Sequence, residues 1–184
     1  MSEIKKTLLE EGKKYGWGLI LIKRKEFKGF IDSLLTRFDK VRLLDVGAWK
    51  CMLGDYLRQL YGDKIEYVGV DVIDLPDRKK EYEFHVMSGD SLLLPAESFH
   101  AIVFIETLEH IVDYVNALRE AYRVLKPGGG VFIQSVVCTE PNALHDRTHY
   151  HVLHPVTLSR LMMWIGFKDI EYSEGANFAI WGYK

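Results

Sequence analysis

The sequence predicts an α/β fold, a doubly wound sheet with helices on both faces. Three observations carry this. From residue 41 onward, short apolar runs alternate with amphipathic stretches of helical period. One run, Ala101-Ile102-Val103-Phe104-Ile105, is apolar at every position, as a parallel strand buried on both faces requires. Several runs end on an acidic residue or a glycine turn, at the carboxyl edge where open sheets of this kind bind ligands.

Taken in order, Ser2 caps a first helix through about Tyr15, with Ile4, Leu8 and Leu9 on one face, and Gly16 and Gly18 break it. A second helix spans Lys25 to Phe38 and turns Phe27, Phe30, Ile31, Leu34, Leu35 and Phe38 inward. Strand Val41–Val46 follows, then helix Met52–Tyr61, strand Ile65–Val72, a short strand Glu83–Met87 and strand Ala101–Ile105. A helix over Val112–Val124 is stopped by Lys126-Pro127-Gly128-Gly129-Gly130, and strand Val131–Val137 leaves that turn. Helix Pro155–Trp164 ends at Gly166, and strands Lys168–Ser173 and Asn177–Tyr183 form a closing hairpin over Glu174-Gly175-Ala176. No repeat or Pro/Gly/Ser linker divides the 184 residues. They read as one domain, with N-terminal helices over 1–40 and an α/β core over 41–184.

A hydrophobic content of 48% and a charged content of 27% are ordinary values for a soluble globular protein. No apolar run approaches the length of a membrane span, and the charged N-terminus lacks the apolar core of a signal peptide. Two cysteines, Cys51 and Cys138, form no disulfide framework, so a reducing, cytoplasmic setting is expected. The net charge of -2 makes no global demand for nucleic acid or a membrane surface. Residues 1–42 nonetheless hold 11 Lys and Arg against 6 Asp and Glu. There Lys13, Lys14, Lys23, Arg24, Lys25 and Lys28 form either a flank for an anionic substrate or RNA, or solvated helix faces, the reading favoured for short Lys-rich segments.

The carboxyl ends of the strands should carry the chemistry. The first presents Asp45 and Gly47, the second Asp71, the third Ser88-Gly89-Asp90-Ser91, the fourth Glu106. Four carboxylates just past apolar runs need a polar ligand or water to satisfy them. Asp71, 26 residues after Asp45, suits the two hydroxyls of a ribose, because a carboxylate offers two acceptor oxygens side by side. Asp90 follows a glycine and is either a reader of an adenine amino edge or a plain turn residue.

In order and spacing these pieces resemble the class I S-adenosylmethionine-dependent methyltransferases, especially the methyltransferase type 11 and ubiquinone-biosynthesis-like branch. LLDVGA matches the first motif and YVGVDV the second; SGDSLLLPAESFHAIVFIETLEHIVD matches the third and fourth. ALREAYRVLKPGGGVFIQSV matches the helix, turn and fifth strand, and HVLHPVTLSRLMMWIGFKDIEY the closing segment. The resemblance covers about residues 40 to 184. It implies a Rossmann-like, mostly parallel sheet of seven strands with the last antiparallel, and S-adenosylmethionine as cofactor. It further implies cofactor contacts from Asp45, Gly47, Ala48 and Trp49 at the methionine end, Asp71 and Val72 at the ribose, Asp90 and Ser91 at the adenine, and Ile105 and Glu106 near the reactive end. A hydride-transfer dehydrogenase is disfavoured, because only Gly47 of Gly-x-Gly-x-x-Gly is in register.

The departure from the family lies in the opening loop, where Trp49 and Cys51 occupy positions usually filled by glycine. Glycine serves where φ is positive or a side chain would strike the ligand. Trp49 therefore either turns away from the methionine moiety or covers it.

Methyl transfer to a hydroxyl needs a base or a metal, whereas an amine or thiolate needs little further help. The candidate catalytic residues are His110, in Glu106-Thr107-Leu108-Glu109-His110, and His149 and His151, in His145-Asp146-Arg147-Thr148-His149-Tyr150-His151. Glu-x-x-Glu-His with a distant His also resembles the metal site of small-RNA 2′-O-methyltransferases and some quinone O-methyltransferases. That likeness makes Glu106, Glu109, His110 and His151 secondary candidates as metal ligands, beside a reading without metal. The leading expectation is methyl transfer to an oxygen, or another nucleophile, of a small-molecule acceptor. The alternatives are a metal-assisted O-methyltransferase acting on RNA or a catechol-like acceptor, and a catalytically silent cofactor-binding or interaction domain.

Overall fold

The computed structural model describes residues 24–175 and 177–184. The expected first helix, its glycine break, the basic residues Lys13, Lys14 and Lys23, and the hairpin residue Ala176 lie outside the described residues. The elements are α1 (Arg24–Leu35), β1 (Val41–Val46), α2 (Met52–Tyr61), β2 (Ile65–Asp71), β3 (Glu83–Val86), β4 (Phe99–Ile105), α3 (Tyr114–Val124), β5 (Leu125–Val136), α4 (Pro141–His145), α5 (Pro155–Ile165), β6 (Lys168–Ser173) and β7 (Asn177–Tyr183). The strands form one seven-stranded sheet in the order β3-β2-β1-β4-β5-β7-β6. Pairings among β1 to β5 are parallel, and β7 runs antiparallel to both β5 and β6. The chain winds outward from β1 to β3, then crosses back to β4. The switch point, where strand ends diverge and a ligand can enter, therefore lies between β1 and β4.

Two cores flank the sheet. On one face Phe27, Phe30, Ile31 and Leu34 of α1 and Leu53 and Leu57 of α2 pack against Leu43, Val103 and Phe132. On the other, Leu118 and Ala121 of α3 and Leu158 and Met162 of α5 pack against Leu44, Val68, Ile102 and Phe104. Alternate residues of one strand thus serve opposite faces, the two-sided burial that the apolar β4 run predicts.

Three departures from the expected boundaries shape the packing. Helix α1 ends at Leu35 rather than Phe38, whose ring packs on His100 at 4.6 Å between centroids. Asp113 caps α3 by accepting the Asn116 amide at 2.9 Å, so the helix starts at Tyr114, and Leu108–His110 forms a separate 3-10 turn. The Lys126–Gly130 stop is absorbed into β5, where pairing with β4 jumps from Phe99–Leu125 to Ala101–Gly130. At Gly130 a Cβ would stand 2.8 Å from both Phe30 and Tyr183, so only glycine lets α1 and β7 close on this strand.

Candidate active site

One cavity of about 500 Å³ opens at the switch point. Of the residues expected at a cofactor, it is lined by Asp45, Gly47, Ala48, Trp49, Asp71, Val72, Asp90, Ile105 and Glu106. Ser91 is exposed, and it is not among the lining residues. Its amide bonds the Ser88 carbonyl at 3.1 Å, a tight turn that leaves Asp90 at the cavity.

The loop after β1 answers the question posed by Trp49 and Cys51. Gly47, Trp49 and Cys51 all have positive φ, at 83°, 47° and 59°. The alternating left-handed backbone is kept, with side chains in place of two glycines, at a cost of about 1 kcal/mol each. Trp49 lines the cavity, and its amide donates to Asp71 Oδ2 at 2.9 Å. The Ile73 amide donates to Asp71 Oδ1 at 3.1 Å. Asp71 thus ties the loops after β1 and β2 together. The Gly47 and Ala48 amides add bonds to the Val70 carbonyl at 2.8 and 3.0 Å. Cys51 is buried, which pushes its thiol up to about 11 and keeps it neutral. A Cβ at Gly47 would overlap the Thr107 side chain, so glycine here also lets the loop after β1 meet the loop after β4.

Asp45 is 4% exposed and accepts the Tyr67 hydroxyl at 2.6 Å. Burial raises its carboxyl to about 7; Tyr67 works against this and the Asp71 charge adds to it. Glu106, at φ 49°, accepts the side-chain amides of Gln134 at 2.8 Å and Asn177 at 2.6 Å.

The other side of the cavity is made by the loop after β4 and by residues 137–154. Glu109 is 1% exposed, and neither of its carboxylate oxygens has a hydrogen-bond partner among the described residues. Burial, reinforced by the nearby Glu106 carboxyl, pushes Glu109 well above the usual carboxylate range. His110 Nδ1 bonds the Thr148 carbonyl at 3.0 Å, and His149 Nδ1 the Ala143 carbonyl at 2.9 Å. A carbonyl only accepts, so each ring carries a proton on Nδ1. Burial lowers His110 to about 4, so it is uncharged at neutral pH and a weak base. Donor atoms of Glu109, His110 and His149 lie within 4.8 Å of one another.

His151 is not part of this group or of the cavity lining. Its amide and that of Tyr150 both bond the Glu109 carbonyl, and its ring leaves toward the Val112 carbonyl at 2.8 Å and packs on Tyr114. Glu106, engaged by two amides, is likewise outside the three-residue group. The sequence reading did not assign Asp146, Thr107 or Asn177 to the site. Asp146-Arg147-Thr148 carried a turn signal, since Asp146 Oδ1 accepts the Thr148 amide and hydroxyl at 2.8 and 2.6 Å. Asn177 carried none, because it reaches the cavity only through the antiparallel register of β7.

Residues 22–172 match the family described as methyltransferase domain. A human mitochondrial ubiquinone biosynthesis O-methyltransferase is 31% identical over 113 residues, covering 54% of this chain and 30% of that protein. The corresponding enzyme of Pseudomonas putida strain W619 is 29% identical over 118 residues, covering 58% of this chain and 49% of that one. The chain thus spans less than half the length of either relative. A SAM-dependent methyltransferase from Archaeoglobus fulgidus shares the fold, with a TM-score of 0.77 at 17% identity over 96% of this chain and 99% of that one. The chain belongs to the methyltransferase-domain family, within the class I S-adenosylmethionine-dependent methyltransferases. Its cofactor is S-adenosylmethionine, and the cavity lined by Gly47, Asp71 and Asp90 offers such a ligand backbone and carboxylate groups. Among the described residues no helix is long and apolar enough to cross a membrane.

Proposed function

We propose that this chain transfers a methyl group to an oxygen of a small-molecule acceptor. The observation that carries the reading is that one cavity joins Asp45, Asp71 and Asp90 to Glu109, His110 and His149. S-adenosylmethionine, when bound, supplies a methyl group activated by a sulfonium. Asp71 accepts the ribose hydroxyls while its own geometry is fixed by the Trp49 and Ile73 amides. Asp45 faces the ammonium end, where a cation would favour its ionised form. Asp90 lies at the adenine, and Trp49 covers the methionine moiety. Ile111 and Val136 give the acceptor side an apolar wall. The acceptor hydroxyl proton passes to a basic nitrogen, for which His149 is the candidate from the residues at the cavity. An oxygen acceptor agrees with the activity named for the human and Pseudomonas putida relatives, both O-methyltransferases.

A second reading is favoured by the orphaned Glu109 carboxylate: metal-assisted transfer to an oxygen, as with a catechol-like acceptor. Glu109, His110 and His149 would hold a divalent cation, which would supply Lewis-acid activation of the acceptor oxygen. Their Nδ1–carbonyl bonds are the orienting contacts metal-bound imidazoles use. Incubation with S-adenosylmethionine and a panel of catechols, phenols and amines, with and without chelator, tests both readings by mass spectrometry. Methylation of oxygen alone is expected; methylation only of nitrogen contradicts the first reading, and chelator-insensitive turnover the second.

A further inference from the structure

Residues 137–154, between β5 and α5, close into a loop whose base is the Cys138 amide bond to the Leu153 carbonyl at 3.2 Å. This loop meets the turn after β4 along one seam. The Tyr150 and His151 amides donate across it to the Glu109 carbonyl at 2.9 and 3.3 Å. His110 Nδ1 returns a bond to the Thr148 carbonyl at 3.0 Å. The three converging donors straddle the same seam, Glu109 and His110 on the β4 side and His149 on the loop. Asp146 sets the turn that delivers His149. Its Oδ1 takes both Thr148 donors, and its Oδ2 stands 3.8 Å from His149 Nε2. The Glu109 carboxylate, buried without a partner, leaves the seam unfinished.

We infer that residues 137–154 form a cap whose closure and the binding of a divalent cation by Glu109, His110 and His149 are one event, with Asp146 as the positioning residue for His149. The inference rests on the second reading above. A ligand set split between two segments exists only when they meet, so a cation held by all three selects the closed cap. One carboxylate oxygen and two imidazoles suit zinc, manganese or iron(II) better than magnesium.

The full chain is titrated calorimetrically with zinc and with manganese(II) chloride, and amide hydrogen exchange is followed at Tyr150 and His151. A ligand that binds one state alone stabilises it in proportion to its excess over Kd. At ten times Kd, exchange of these two amides is expected to slow about tenfold, with β1 amides unchanged. The isosteric Glu109→Gln is expected to remove the slowing. Asp146→Ala is expected to weaken cation binding about tenfold, and Asp146→Asn, which keeps an oxygen for Thr148, to restore it. Cation binding without a change in exchange overturns the coupling and leaves the second reading standing. Binding of neither metal overturns both, and an Asp146→Ala chain that binds like the parent removes the positioning role.

Discussion

Asp45 and Glu109 are both buried carboxyls facing one cavity, on either side of the switch point, and the fold treats them in opposite ways. Asp45 sits on a central strand and is given the Tyr67 hydroxyl from the neighbouring strand. Its surroundings, the loops after β1 and β2, are cross-linked through Asp71 to backbone amides. Neither oxygen of Glu109 has a partner in hydrogen-bond geometry among the described residues. Beside it lie the Glu106 carboxyl, the Ser135 hydroxyl and two histidines, one from its own turn and one from the loop over residues 137–154. The cofactor side is thus finished by contacts between consecutive strands. The acceptor side is assembled from segments 39 residues apart, as His110 and His149 mark, and holds an unspent buried donor. On the proposed reading, a cofactor seat built on strand ends lies beside an acceptor seat built from loops, the part that varies when one fold serves many acceptors.

The largest effect should come from breaking the point where the two sides touch. Gly47→Ala forces a Cβ into Thr107 at a φ of 83°, and we expect a loss of roughly 3 kcal/mol or more in chemical denaturation. Next, Asp71→Ala removes the acceptor for two amides on the cofactor side only. S-adenosylmethionine should bind roughly a hundredfold more weakly by calorimetry, with cation affinity unchanged.

Asp45 gives a signed effect of comparable size, spread over several pH units. Its folded value of about 7 exceeds its ordinary 3.8, so the folded chain binds the extra proton between these values. Asp45's own contribution to stability should therefore be full below about pH 4, fall as pH rises toward 7 and be lost above it. The total is on the order of a few kcal/mol. Asp45→Asn should flatten that part of the profile in thermal melts; an unchanged slope would show that Asp45 is not its source. The smallest effect is expected from Trp49→Gly. Its backbone already occupies the conformation glycine prefers, so stability should change by no more than about 1 kcal/mol. Cofactor affinity should fall several-fold through loss of the covering ring.

The same contrast explains what was legible in the sequence. The cofactor side rests on strand ends, and the runs ending in Asp45, Asp71 and Glu106 announced themselves by apolar periodicity followed by a charge. The sheet followed from the same signal, including the two-sided β4. The acceptor side depends on where residues 137–154 return, which no local pattern encodes. In sequence His149 and His151 were both candidate bases and only His151 a candidate metal ligand, whereas the structure sets His149 beside Glu109 and His110. The two amide bonds to the Glu109 carbonyl separate them, sending the His151 ring to Val112 and Tyr114. Trp49 and Cys51 looked like damage to a glycine loop, yet the loop keeps its left-handed turns because Asp71 and the Val70 carbonyl hold it from outside. Gly130 was visible only as part of a helix stop, because its crowding comes from α1 and β7.

The most direct test of this division is a calorimetric titration of S-adenosylmethionine into the chelator-treated chain and its Asp71→Ala variant. The account predicts binding at one site without any added cation, lost or weakened about a hundredfold in the variant. Absence of binding until a cation is supplied, or a variant that binds like the parent, would contradict it.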